Sequence, residues 1–226
     1  FPIIRQEILH RRSLAKRDEY LQAMDEEFAR LNLPNIPLWK QNYIASLSIA
    51  DLMSELNASK ITSVEILSTY IIRCRTYGKE YNLTAQENFT PAMKKARHCD
   101  ATRQSLLESN QLPPLYGIPL SVKDIIKQRN FAPTYGLLSF LTSPCSYDAP
   151  ILASLQKAGA ILFVRSNMST LGLDAESCSL VWGRACNPWN VLRTTGGSSG
   201  GEAGLVAVGA SCAGIGGDMG GSIRIP

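Results

Sequence analysis

The chain has 226 residues, of which 45% are hydrophobic and 19% charged, with a formal net charge of +4. That is an ordinary globular balance, enough for one sizeable core, and it excludes a disordered or fibrous protein. The charge is mild and no dense Lys/Arg stripe with interleaved aromatics occurs, which argues against a nucleic-acid partner; no apolar run reaches the roughly 18 residues that a membrane helix needs.

In chain order, the spacing predicts a first helix over residues 14 to 32, capped by Ser13, with Leu21, Met24, Phe28 and Leu31 on one face. Arg5, Arg11, Arg12, Lys16 and Arg17 give this end a basic character that suits a solvated face first and contact with anionic lipid second. Pro34 and Pro37 stop the helix, so residues 1 to 46 read as an N-terminal helix and lead-in to a main unit over 47 to 226. Ser48 to Asp51 and Thr62 to Glu65 each open a capped helix, the second as a capping box with Val64, Leu67, Ile71 and Cys74 in register. Another helix starts at Thr90-Pro91.

From Gly117 the texture changes from helical to α/β. Residues 118 to 122 read as a short buried strand, Asp148-Ala149-Pro150 opens a helix that Gly159 stops, and 161 to 164 form a second buried strand. Such units bind ligands near the carboxyl ends of their strands, where Lys123 and Asn167 fall. Asn187-Pro188-Trp189-Asn190 reads as a loop, and 201 to 210 as a helix of small residues that must pack closely. The six cysteines (Cys74, Cys99, Cys145, Cys178, Cys186, Cys212) include no Cys-x-x-Cys pair, and most lie in settings that suit free, buried thiols. Of the sequons at Asn57, Asn82, Asn88 and Asn167, the last follows a buried strand and is a poor glycan acceptor.

The chemistry concentrates in the last thirty-odd residues. Two glycine-flanked serine sites, Gly196-Gly197-Ser198-Ser199-Gly200-Gly201-Glu202 and Gly216-Gly217-Asp218-Met219-Gly220-Gly221-Ser222-Ile223-Arg224, fold backbone tightly around hydroxyls and let amides approach a ligand. His10 and His98 both lie in the helical front in polar surroundings, which disfavours a Ser-His-Asp triad. A lysine serves as base instead if burial keeps it neutral, and Lys123 follows the apolar run 118 to 122. Together with Tyr116-Gly117-Ile118-Pro119-Leu120-Ser121-Val122-Lys123-Asp124, the two serine motifs resemble the amidase signature family of serine hydrolases, in pattern nearest its fatty acid amide hydrolase and fungal acetamidase branch.

The resemblance implies an α/β/α sandwich around a mixed β-sheet behind an N-terminal helical layer. It also implies an amide hydrolase in which Lys123 is the base, Ser198 the bridging serine, held by a cis Gly197–Ser198 peptide, and Ser222 the nucleophile. Ser199 is then a supporting partner, the amides of Met219, Gly220, Gly221 and Ser222 are the oxyanion donors, and Asp218 and Arg224 pair to brace the loop. Many relatives carry threonine where Met219 stands, a change that leaves backbone donors intact and alters the pocket wall.

No metal or other cofactor is implied: H-E-x-x-H and paired cysteines are missing. Ser13-Leu14-Ala15-Lys16 has S-x-x-K spacing without its companion motifs, and neither a Walker loop nor a dinucleotide fingerprint is completed. The implied partner is a small amide substrate; membrane-surface contact, a homodimer, and a cytoplasmic or membrane-associated location stay open. So do an inactive binding homologue and a glutamine amidase of the amidotransferase type. The start at Phe1 and stop at Pro226 suggest a fragment, one whose sheet and acyl pocket would be completed by later sequence.

Overall fold

The computed structural model describes the backbone of residues 2–226 and the side chains from residue 11 onward. Its front is helical: α1 (Pro2–Ala29), α2 (Leu38–Ser46), α3 (Ile49–Asn57), α4 (Ser63–Arg73), which runs on into one wider π turn over Cys74–Gly78, and α5 (Phe89–Glu108). The two capping boxes form as the sequence predicts, with Ser48 Oγ accepting from the Asp51 amide at 3.2 Å and Thr62 Oγ1 from the Glu65 amide at 3.1 Å. Helix α1 departs from expectation. It begins at Pro2, so Ser13 lies within it and does not cap it. Residues 3 to 13 contain neither glycine nor proline, and one interior serine costs too little to break a helix. The side chains of Arg5 and His10 lie outside the described residues; His98 is exposed.

Among the described residues the strands are β1 (Thr84–Glu87), which precedes α5, then β2 (Pro119–Lys123), β3 (Ile161–Ser166), β4 (Cys178–Ser179), β5 (Gly183–Arg184), β6 (Cys186–Asn187), β7 (Asn190–Thr194) and β8 (Gly214–Ile215). The main sheet is mixed, in the order β1-β3-β2-β8, with β2 parallel to both neighbours and β1 antiparallel to β3. Parallel neighbours require a crossover, supplied between β2 and β3 by α6 (Pro150–Lys157), which has proline in its first turn and is followed by Gly159 at φ +95°. Every residue of β2 and β3 is buried, which is why both read as near-continuous apolar runs.

Helices α3 to α5 pack on this sheet. Leu52, Leu56, Ile66, Leu67, Phe89 and Met93 share one core with Leu120, Val122 and Phe163, and Phe163 stacks between Tyr70 and Phe89 with ring centroids at 6.2 and 6.4 Å. Phe28 carries α1 onto the edge of the same aromatic stack. The small-residue helix α7 (Gly200–Ala207), whose Leu205 joins the same core, presses against the end of β3: a Cβ added at Gly201 would stand 2.3 Å from the carbonyl oxygen of Asn167. Close packing was expected there; the helix ends three residues earlier than predicted and gives way to a turn through Gly209 at φ +62°. The Asn187 to Asn190 segment is the turn of a β6-β7 hairpin. Cysteine burial is only partly as anticipated: all six are free, Cys74 and Cys99 are buried, but Cys178 is exposed on the short β4-β5 hairpin. Asn167 is buried, its Nδ2 donating to Asn82 O at 2.9 Å and Gly183 O at 3.2 Å.

Among the described residues, no helix is long and apolar enough to cross a membrane.

Candidate active site

Lys123 is the last residue of β2, so its side chain leaves the carboxyl edge of the sheet, where open α/β sheets offer a crevice. It is 2% exposed, and its Nζ donates to Ser198 Oγ at 2.7 Å and to Gly217 O at 3.4 Å. Burial disfavours the charged form and pushes the amine down to about 8; Glu202 and Asp218 act in the opposite sense.

Ser198 is itself 1% exposed and follows a cis peptide bond from Gly197. The loop before it is held by its neighbours: Gly196 stands at φ +80°, a conformation suited to glycine, and its carbonyl accepts from Ser177 N at 3.1 Å and Ser177 Oγ at 3.0 Å. The same Ser177 hydroxyl accepts from Gly200 N at 2.8 Å, so one buried serine ties together both sides of the Ser198 turn. Next to Lys123 in the chain, Asp124 is fully buried and accepts from Gln86 Nε2 at 2.9 Å and Thr134 N at 3.1 Å, while the guanidinium of the buried Arg165 lies 3.7 Å away. This polar layer fixes the residue adjoining Lys123.

The second serine loop is organised by Asp218. Its carboxylate accepts from the amides of Gly221 at 2.8 Å, Ile223 at 2.9 Å and Arg224 at 3.2 Å, and from Arg224 Nε and Nη2 at 3.0 and 2.8 Å. Arg224 and those amides hold the carboxyl far below the usual carboxylate range. Asp218 and Arg224 thus form a forked pair closing the turn that carries Ser222. Two contacts stitch this turn to the first loop: Ser199 N donates to Ser222 O at 3.1 Å, and Ser199 Oγ to Gly217 O at 3.3 Å.

The sequence-predicted residues therefore gather at one place, with distinctions. Lys123 and Ser198 meet through their side chains, whereas Ser222 joins them through main chain and is half-buried. Of the four amides expected to face an oxyanion, that of Gly221 is committed to Asp218; those of Met219, Gly220 and Ser222 have no hydrogen-bond acceptor among the described residues. Met219 is 94% exposed, and Ile223 and Ile225 on the same loop are about half exposed. Sequence reasoning missed Ser177, Arg165 and Glu202. A charged residue opening an otherwise small and apolar helix was the available signal for Glu202; Ser177 offered none.

The family model described as Amidase matches residues 65–226. The chain belongs to the amidase family. It is 36% identical over 191 residues to fatty-acid amide hydrolase 2-B of Danio rerio, covering 82% of this chain and 36% of that protein. To the acetamidase of Emericella nidulans it is 33% identical over 184 residues, covering 81% and 33%. Both branches named by the sequence resemblance are thus among its relatives. The solved structure of a fatty acid amide hydrolase superposes with a TM-score of 0.82 at 24% identity, covering 94% of this chain and 41% of that one, which establishes the amidase α/β fold. The chain spans about a third of the length of these two relatives.

Proposed function

We propose that this amidase-family chain carries the catalytic centre of an amide hydrolase that works through Lys123, Ser198 and Ser222. The observation that carries the reading is the buried 2.7 Å contact between Lys123 Nζ and Ser198 Oγ, with the amine displaced toward neutrality. A neutral amine at that distance is a general base for the hydroxyl, and its working value near 8 suits proton transfer near neutral pH.

Lys123 takes the Ser198 proton as Ser198 takes the proton of Ser222, and Ser222 Oγ attacks the amide carbonyl carbon. The carbonyl electron pair moves onto oxygen, where the free amides of the 219–222 turn supply donors; each such donor contributes about 3 kcal/mol to the transition state. The relay then runs backwards: the ammonium of Lys123 returns its proton through Ser198 to the leaving nitrogen, the C–N bond breaks, and the acyl group stays on Ser222. Water, deprotonated through the same relay, releases the acid and restores the enzyme. Relatives named fatty-acid amide hydrolase, together with the exposed apolar side chains Met219, Ile223 and Ile225 on the loop that carries Ser222, favour long-chain acyl amides as the substrate class.

The test is labelling of the full-length protein with a fluorophosphonate, read by peptide mapping. Modification at Ser222 is expected, lost in Ser222→Ala and slowed in Lys123→Ala. Intact labelling of Ser222→Ala at another serine overturns the assignment.

A further inference from the structure

Glu202 lies in the first turn of α7, four residues after Ser198, and is buried. A glutamate at this place in a helix commonly reaches back to close a capping box, but no side-chain cap forms here. Instead, Glu202 Oε2 accepts from Ser121 Oγ at 2.6 Å. Ser121 sits two residues before Lys123 on β2, so the two side chains leave the same face of the strand. The carboxyl needs this room: a Cβ added at Gly214, on β8, would stand 1.6 Å from Glu202 Oε2. Its second oxygen, Oε1, has no hydrogen-bond partner, and neither has the hydroxyl of Ser166 that faces it.

A buried carboxyl with one oxygen unpartnered is costly unless a proton or a cation offsets it. Two cations are near. Arg165 lowers the Glu202 carboxyl more than Lys123 does, but apart from its unpartnered Nε it is engaged with Asp124, Gln128 Oε1 at 3.2 Å and Ile126 O at 2.9 Å, whereas the amine of Lys123 has only the neutral Ser198 hydroxyl and a carbonyl. We propose that Glu202 is the buried counter-charge of Lys123, a positioning residue that stabilises the ammonium formed when the amine takes the proton from Ser198. This rests on the hydrolase reading above.

The groups that face the pair are Arg165 from β3, Cys74 from the turn after α4, and Asp218 from the nucleophile loop. Asp218 also raises the amine, but less than Glu202 does and with its carboxylate already paired to Arg224, while burial pushes the Cys74 thiol up and keeps it neutral. Burial raises the Glu202 carboxyl to about 7 and lowers the amine to about 8, so the two titrate in adjoining ranges and report on each other.

The experiment is the pH dependence of kcat/KM for an acyl amide with full-length wild-type protein and Glu202→Gln, which keeps the shape and the Ser121 contact and removes the charge. Without the carboxylate the neutral amine is favoured, so the acid limb moves down by about one pH unit and the plateau falls by about tenfold. A plateau that falls while the limb stays put shows a merely structural role and overturns the proposal, as does an unchanged profile. If Glu202→Gln does not fold, Ser121→Ala decides: loss of its hydrogen bond favours the protonated carboxyl, so the limb again moves down, and an unmoved limb overturns the proposal. A wild-type protein with neither turnover nor Ser222 labelling instead overturns the hydrolase reading, and this inference with it.

Discussion

If Lys123 is the base, activity must follow its deprotonation, and the structure sets where. Burial beside Ser198 lowers the amine to about 8, against an ordinary lysine near 10.5. Only the neutral form accepts a proton, so kcat/KM should rise with pH along a single limb centred near that value. The neutral fraction is about one tenth at a pH one unit below the midpoint and about nine tenths one unit above it, giving roughly a tenfold rise across two units. An unburied lysine would place the limb more than two units higher, and a histidine base would place it near 6.5. The assay is kcat/KM for a chromogenic acyl amide from pH 6 to 10, with the rate of fluorophosphonate labelling as a parallel reading of the same ionisation. A limb near 6.5 in both, retained in Lys123→Ala, would refute the lysine mechanism.

Three further outcomes follow from the same geometry. Asp218→Asn removes the anion that gathers three amides and Arg224 around the Ser222 turn, and a displacement of about 1 Å there should lower kcat roughly 100-fold, measured beside an unchanged far-UV spectrum. Ser177→Ala strips the buried Gly200 amide of its acceptor, at a cost of about 1–3 kcal/mol, read as a fall in denaturant midpoint. The third concerns stability and pH. Glu202 binds its proton more tightly when folded, with a value raised from 4.5 to about 7, so stability is greatest below the unfolded value and declines as pH rises through that window, by on the order of 3 kcal/mol in total. Glu202→Gln should flatten this decline in Tm scans from pH 5 to 8, and an equally steep decline in the variant would count against a titrating carboxyl.

How much of this was legible in the sequence depended on how local each feature is. The caps at Ser48 and Thr62 were readable because residues three apart decide them. Strands β2 and β3 were readable because burial on both faces leaves an apolar run. Strands β1 and β8 were not: Thr-Ala-Gln-Glu and Gly-Ile carry no pattern of their own and become strands only by pairing with neighbours. The same holds for Asp124 with Arg165 and for Glu202 with Ser121, whose partners lie 41 and 81 residues away. The roles given to Lys123, Ser198 and Ser222 came from family resemblance rather than from spacing; composition alone left the lysine an ordinary strand-end residue. Commitment of the Gly221 amide to Asp218 required coordinates, since a sequence does not show which of four successive amides a carboxylate will claim.

The most direct test of the central claim is to find the acyl group. Full-length protein mixed with an activated long-chain acyl amide, quenched in acid and digested, should yield a peptide in which Ser222 carries the acyl mass; the adduct should vanish in Ser222→Ala and form far more slowly in Ser198→Ala. An adduct on any other residue, or amide turnover that persists in Ser222→Ala, would contradict the account.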